Sequence, residues 1–229
     1  MKLKLVNIRQ ETVDVKTFFF EPEEEIKYDA GQYYYFTLPE LKYDDPRGET
    51  RHFTLSSSPT EGKIISFTTK FPEPMSGYKK TLLELPIGSI IEGRGPQGVF
   101  TISPTSSRLR GTKNIFFAGG IGITPFRSMI KYSFDKSLTL PYLIYSNSDE
   151  NFVFGDELKV ILKEKLFLVN TSLTGHLDAE KIKNFISDHL ISANFYVVGP
   201  PKFVDAMEAS LEQLGIESGK ILSEKFTGY

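Results

Sequence analysis

Asn114-Ile-Phe-Phe-Ala-Gly-Gly-Ile-Gly-Ile-Thr-Pro125 is the stretch that decides the fold. Its first five residues read as an apolar strand. Gly119, Gly120 and Gly122 then allow a tight turn, and Thr124-Pro125 suits the start of a helix: Thr caps free N–H groups, and Pro lacks the N–H that the first turn leaves unbonded. A strand, a glycine turn and a helix in that order can gather backbone N–H groups around a pyrophosphate. The glycine spacing is not the standard Rossmann fingerprint, so the surrounding text must carry the reading.

Downstream, strands alternate with helices. Helices are expected over Thr124–Phe134, Asp156–Lys163, Ala179–His189 (capped by Asp178) and Lys202–Gly215. Strands are expected over Leu138–Ser146, Leu166–Thr171, Phe195–Gly199 and Ile221–Lys225. This alternation predicts a mainly parallel sheet covered on both faces. Upstream, the polar stretch Ser103–Gly111 reads as a linker. Before it lie short β-branched and aromatic runs, KLKLVNI, DVKTFFF, QYYYFTL, HFTLSSS, KIISFTTK and SIIEGRG, with one brief helix in YKKTLLEL. These predict an antiparallel Greek-key β-barrel, because closure removes exposed sheet edges. The expected division is therefore a barrel domain over residues 1–102 and an α/β domain over 111–229.

Composition narrows the chemistry. The 229 residues are 40% apolar and 24% charged, as in a globular protein. Lys and Arg number 27 against 29 Asp and Glu, a formal charge of -2, so no global positive field recruits nucleic acid, and the aromatic clusters suit a core better than a nucleic-acid groove. There is no Cys, which excludes disulfides and a cysteine-held iron-sulfur cluster within these residues. His52, His176 and His189 are too dispersed for a multi-histidine metal centre, so no metal site is expected. No apolar run is long enough to span a bilayer, and MKLKLVNIRQ alternates rather than forming a signal-peptide core, so a cytoplasmic protein is expected.

Arg51-His-Phe-Thr-Leu-Ser-Ser-Ser-Pro59 joins a cation, an aromatic ring and hydroxyls on one strand. Arg51 and Phe53 share a face, with His52 and Thr54 on the other. A guanidinium fork suits a phosphate, and a Thr hydroxyl or amide suits the edge of a redox ring. The same residues also fit a solvated cation, a core ring and a strand-forming Thr.

The run Arg-x-Phe-Thr-x-Ser-Ser, then Lys70, Ser76-Gly-Tyr-Lys79 and Gly95-Pro-Gln-Gly98, resembles the flavin domain of the ferredoxin-NADP reductase superfamily. In particular it is similar to short FAD-binding NAD(P)H oxidoreductases lacking a fused iron-sulfur domain. AGGIGITPFRSM resembles the nucleotide loop of the same superfamily, and the likeness runs through essentially the whole chain in the family order. It implies that Arg51 binds the flavin phosphate, Phe53 packs beside the flavin and Thr54 approaches N5, with His52 between them on the same strand. A second phosphate contact falls to Ser76, Gly77, Tyr78 and Lys79, where Lys79 and its neighbour Lys80 also fit a solvated helix face. Phe67, Thr68 and Lys70 match the strand beside the ribityl and adenine portion, and Gly95, Pro96 and Gly98 a turn before the domain junction.

In the second half the resemblance places Gly119, Gly120, Gly122, Thr124 and Pro125 along the dinucleotide. Thr124 would guide the nicotinamide, with a helix N-cap as its other reading. Ser146, Asn147 and Asp149 fall where the adenine ribose is read; the absence of Lys or Arg there tilts the segment toward NADH, while Arg127 or Lys202 brought in from other loops would keep NADPH open. Thr171, Ser172 and His176 match the next strand-end loop. Val198-Gly199-Pro200-Pro201 resembles the family's Cys-Gly-Pro motif without its Cys. Phe226 and Tyr229, in the terminal Glu-x-Phe segment, would shield a flavin face, with a core ring and a frayed end as their plainer readings.

The implied activity is hydride transfer between NAD(P)H and FAD. Electrons would then pass to or from an acceptor such as ferredoxin, flavodoxin, a quinone, a dye or an iron-sulfur partner protein. Lys79, Lys80, Arg108 and Arg110 would attract an acidic partner. The alternative is a flavin-binding regulatory or electron-transfer subunit active only with a partner.

Overall fold

A computed structural model describes residues 1–102, 113–186 and 193–227. The expected linker Ser103–Gly111, Arg108, Arg110, His189 and Tyr229 lie outside those residues.

The first half forms six strands, β1 Lys2–Thr12, β2 Val15–Pro22, β3 Tyr33–Thr37, β4 Thr50–Thr54, β5 Ile65–Lys70 and β6 Ile90–Gln97, with helix α1 Gly77–Leu83 between the last two. The pairings are antiparallel and the strand order is β4-β3-β6-β1-β2-β5. Alternation sets the faces: Tyr34 and Phe36 are buried, while Tyr33 and Tyr35 are only half-buried. Phe18 pairs Phe67 across the β2–β5 ladder, and their rings stack at 5.4 Å. The edge strands approach each other at an isolated bridge, Leu55 with Phe67, supported by Ser56 N–H donating to Ser66 O at 2.8 Å. The sheet is thus antiparallel as expected, and its edges meet at a bridge rather than along a ladder.

Gly95 and Pro96, expected in a turn, instead belong to β6. Between Tyr33 and Tyr35 the β3–β6 register shifts from Gln97 to Arg94, so both residues occupy an irregularity, where a strand tolerates Pro. A Cβ at Gly95 would stand 2.7 Å from the Tyr34 ring.

The second half contains β7 Lys113–Gly119, a 3-10 turn over Gly120–Gly122, α2 Ile123–Asp135, β8 Tyr142–Asn147, α3 Gly155–Leu162, β9 Leu166–Asn170, α4 Thr171–Thr174, α5 Ala179–Ile186, β10 Ala193–Gly199, α6 Pro201–Gln213 and β11 Ile221–Lys225. All strand pairings here are parallel, in the order β11-β10-β7-β8-β9. The order reverses between β7 and β10, which makes a crevice beyond their carboxyl ends. The two strands end in Gly119 and Gly199, so close that a Cβ on Gly199 would lie 3.1 Å from Gly119 Cα. The sequence shows no helix at α4; Asn170 caps it, its Oδ1 accepting from Ser172 N–H at 3.1 Å.

The halves pack on one another. Phe100 meets Phe126 at 5.9 Å and Tyr196 at 5.6 Å, centroid to centroid. Ser128 Oγ donates to Ser57 O at 2.6 Å, and Thr60 Oγ1 donates to Asp135. Arg127 supplies the largest link. Nη1 donates to Ser56 O at 2.9 Å and to Glu61 Oε2 at 2.6 Å, Nη2 to Glu61 Oε1 at 2.9 Å and Glu157 Oε1 at 2.8 Å, and Nε to Glu157 Oε2 at 3.0 Å. Against burial, these carboxylates hold the guanidinium protonated more firmly than usual. Arg127, one of two cations that could have kept NADPH open, is instead committed to joining the halves.

Candidate functional site

Two clefts meet at the turn Gly120–Gly122, and Ile121 forms a wall of both. The first, about 360 Å³, collects Arg51, His52, Phe53, Thr54, Thr68, Ser76, Lys79, Thr124 and Phe226 from the sequence-predicted set. The second, about 810 Å³, collects Lys70, Gly119, Gly120, Ser146, Asn147 and Pro200. Neither half builds its cleft alone: Thr124 and Phe226 close the first, and Lys70 and Pro72 flank the second.

Several predicted residues lie behind these walls. Phe67 is fully buried and stacks on Phe53 at 4.2 Å, with the rings 7° from parallel. It therefore backs a cleft residue instead of offering a surface. Tyr78 is also buried, its hydroxyl donating to Phe36 O at 3.1 Å. Gly77 packs on the carbonyls of Tyr43 and Asp44, which leaves no room for a Cβ. Gly122 packs in the same way on Val198 and Gly199, and Pro125 is buried in α2. Gly199 touches the Phe203 side of the second cleft, whose ring would lie 2.7 Å from an added Cβ.

Arg51 differs most from expectation. Its Nη1 donates to three carbonyls, Arg47 at 3.0 Å, Gly48 at 2.9 Å and Thr50 at 2.7 Å. Its Nη2 lies 2.6 Å from Asp45 Oδ1 without the angle of a hydrogen bond, and Nε finds no hydrogen-bond partner among the described residues. The fork expected on a ligand is therefore turned onto its own loop, leaving Nε as a buried donor beside the cleft. Asp45 also accepts from Tyr78 N–H at 2.9 Å and Arg47 N–H at 3.0 Å. Burial would raise its pKa, but these N–H groups and Arg51 outweigh that and hold it below the usual Asp value. Sequence reasoning missed Asp45, although the acidic pair Asp44-Asp45 just before an Arg was a visible signal.

Lys79 is buried and its ammonium donates to Lys70 O, so it is not the surface cation expected for docking. Burial, then the charges of Arg47 and Arg51, lowers its pKa to about 8. Its folded pKa lies below its unfolded one, so between them the unfolded chain holds more protons and stability rises with pH. The contribution should grow from about pH 8 to about pH 10.5, and Lys79→Met should remove that rise in denaturant melts; an unchanged profile would show that Lys79 ionises freely.

Thr124 also departs from its N-cap reading. The helix begins at Ile123, and Thr124 Oγ1 donates to Ile121 O at 3.2 Å, within the first turn. The preceding 3-10 turn advances the helix start, so the hydroxyl fastens the glycine turn while the residue borders the first cleft. Glu224, in the terminal Glu-x-Phe, also lines this cleft, and burial raises its pKa. Phe226 is placed by its own N–H donating to Gly199 O at 2.9 Å.

Asp149 is not among the residues that line the second cleft. It accepts from Asn147 Nδ2 at 3.0 Å and from Asn151 N–H at 2.8 Å, shaping its own turn. Lys202 and His176 arrive from α6 and the loop before α5; with Lys70 they supply the cleft's cationic or protonatable groups, and no carboxylate is among its lining residues.

Comparisons with known proteins agree with this layout. The family described as "Oxidoreductase NAD-binding domain" matches residues 116–209. The chain is 28% identical to NADH-cytochrome b5 reductase 1 of Aspergillus terreus, over 78% of the chain and 65% of that protein. It is 26% identical to the glycine betaine monooxygenase reductase subunit of Chromohalobacter salexigens, over 98% of the chain and 63% of the relative. The chain thus spans less than two thirds of the length of these two relatives. In fold it resembles the cytochrome b5 reductase domain of Ulva prolifera nitrate reductase, with a TM-score of 0.79 at 20% identity, covering 97% of the chain and 96% of that domain. It likewise resembles the FAD/NAD-binding domain of a Vibrio cholerae nitric oxide dioxygenase, with a TM-score of 0.77 at 15% identity, covering 98% of each.

Proposed function

We propose that this chain, whose two-domain fold and matches to reductase proteins resemble the ferredoxin-NADP reductase superfamily, is a flavin-dependent NAD(P)H oxidoreductase module that binds FAD in the first cleft and the dinucleotide in the second. The observation that carries this reading is the meeting of the two clefts across Ile121, where two flat rings can be brought into contact. FAD, when bound, supplies the hydride acceptor and passes electrons on singly or in pairs.

The chain's own groups bind and align. Arg51 Nε, a buried donor in need of an acceptor, suits a phosphate oxygen. Phe53, held flat by Phe67, presents a rigid apolar surface, and Thr54 lies at the cleft end of the same strand. The Phe226 ring shields the cleft, and Glu224 brings a carboxyl beside it whose pKa burial raises. Gly119 and Gly120 let the dinucleotide approach the ends of β7 and β10. We assign residues 1–102 to FAD and 111–229 to the nucleotide, with walls exchanged between them as described. The acceptor is another domain or protein, and the reductase names of several relatives favour an iron-sulfur or haem protein.

An anaerobic titration of FAD-loaded protein with NADH and NADPH tests this reading: rapid bleaching by either is expected, and bound FAD that stays oxidised would move the case to the partner-dependent subunit. Both nucleotides are expected to reduce the flavin, with Lys202 attracting the 2'-phosphate. In the same titration Lys202→Ala should weaken NADPH about tenfold and NADH little, as for loss of one charge-assisted contact. Equal effects on both would place Lys202 away from the 2'-phosphate.

A further inference from the structure

The geometry points to Asp45 as an internal stand-in for the cofactor phosphate: a buried carboxylate that occupies the donors around Arg51 and so weakens the retention of FAD. This inference rests on the FAD reading above and concerns how firmly that site holds its ligand.

Asp45 belongs to the loop joining β3 to β4 and its side chain is only 2% exposed. It faces Arg51 Nη2 with one oxygen and takes Tyr78 N–H with the other. Sequence assigns both donors to phosphate, yet each already has an anion against it. A phosphate entering beside Arg51 must displace that carboxylate or share one guanidinium with it. Displacement exchanges one anion for another on the same donors, so binding gains only the difference. Sharing places like charges together in a site largely withdrawn from water, which is unfavourable.

Arg51 does not depend on Asp45 for its place. Nη1 is fixed by three carbonyls, and the guanidinium carbon lies 5.1 Å from the Tyr78 ring centroid. Asp45→Asn retains the shape and an oxygen for Tyr78 N–H and lacks the charge, while its NH2 replaces the oxygen that accepts from Arg47 N–H and faces Arg51, setting a donor against donors as Asp45→Ser does not. Arg47, Arg51 and Lys79 would still line the cleft, now without a carboxylate against the fork.

The test is a fluorescence titration of cofactor-free wild type and Asp45→Asn with FAD, FMN and riboflavin. Asp45→Asn is expected to bind FAD and FMN about tenfold more tightly, the scale of one removed like charge, and riboflavin without change, since riboflavin carries no phosphate. Unchanged or weaker FAD binding by Asp45→Asn overturns the proposal, as does an equal gain for riboflavin, which would mean a general opening of the cleft. Melting of the cofactor-free proteins checks folding, and Asp45→Ser is read in the same way should the Asn variant fail to fold. If neither wild type nor variant binds any flavin, the FAD reading fails and takes this proposal with it; flavin binding without a difference sinks the proposal alone.

Discussion

Arg127→Met should lower the melting temperature by about 6–12 °C and slow flavin reduction on the order of 100-fold, while leaving FAD binding nearly intact. The guanidinium side chain is 11% exposed and its two carboxylate partners, Glu61 and Glu157, are 26% and 30% exposed. Removing the cation leaves two crowded carboxylates and an unpaired Ser56 carbonyl. That costs about 3 kcal/mol, the lower end for breaking a buried pair because both acids retain some water. A chain of this size loses roughly 2–4 °C of melting temperature per kcal/mol. The kinetic effect follows from geometry: Arg127 ties the loop after β4 to α2 and α3, so without it the two clefts lose their fixed relation. A misplacement of about 1 Å between reacting rings is enough to cost that factor. Calorimetry and stopped-flow bleaching decide the matter. A variant that melts early but is reduced at the wild-type rate would make Arg127 purely a staple.

The second large effect is expected from Gly122→Ala, which should abolish tight nucleotide binding. A Cβ there runs into Val198 O and would stand 2.7 Å from Val198 C and 2.9 Å from Gly199 Cα. All three are backbone atoms, so either the glycine turn or the end of β10 must move. We expect about 3 kcal/mol of strain, at the upper end for overpacking. Gly120→Ala supplies the contrast: its φ is +54°, but the nearest atom to an added Cβ is Asn147 Oδ1 at 3.9 Å, so only the left-handed backbone penalty of about 1 kcal/mol applies. Isothermal titration with NADH should therefore rank wild type, Gly120→Ala and Gly122→Ala in that order. Equal affinities for the two variants would show that the β10 end yields readily.

The parts of the fold legible in the sequence were those written in local periodicity. β7, its glycine turn and α2 occupy consecutive residues, and each announces itself by an apolar run, a small residue or a Thr-Pro pair. The antiparallel strands were equally legible as short aromatic runs, although Gly95-Pro96 looked like a turn because its accommodation depends on a register shift against β3. The side chains of Arg51, Lys79 and Arg127 could be identified but not assigned. Arg51 turns back onto its own loop, and the other two find partners on other elements: Arg127 and Glu61 are 66 residues apart, and Lys79 reaches the carbonyl of Lys70. Asp45 escaped notice because its closure by Tyr78 N–H exists only once α1 is docked on the β3–β4 loop, although Arg47 and Arg51 lie close in sequence. Lys202 reaches the second cleft through the strand reversal that seats α6 beside β7, an ordering that no local pattern specifies.

The Ile121 wall common to the two clefts ties their occupants by thermodynamic linkage. Whatever factor a ligand on one side of that side chain imposes on affinity at the other, the second ligand imposes on the first. Affinity for the cofactor and affinity for the nucleotide are then two readings of one coupling free energy, and a change of size at Ile121 alters both at once.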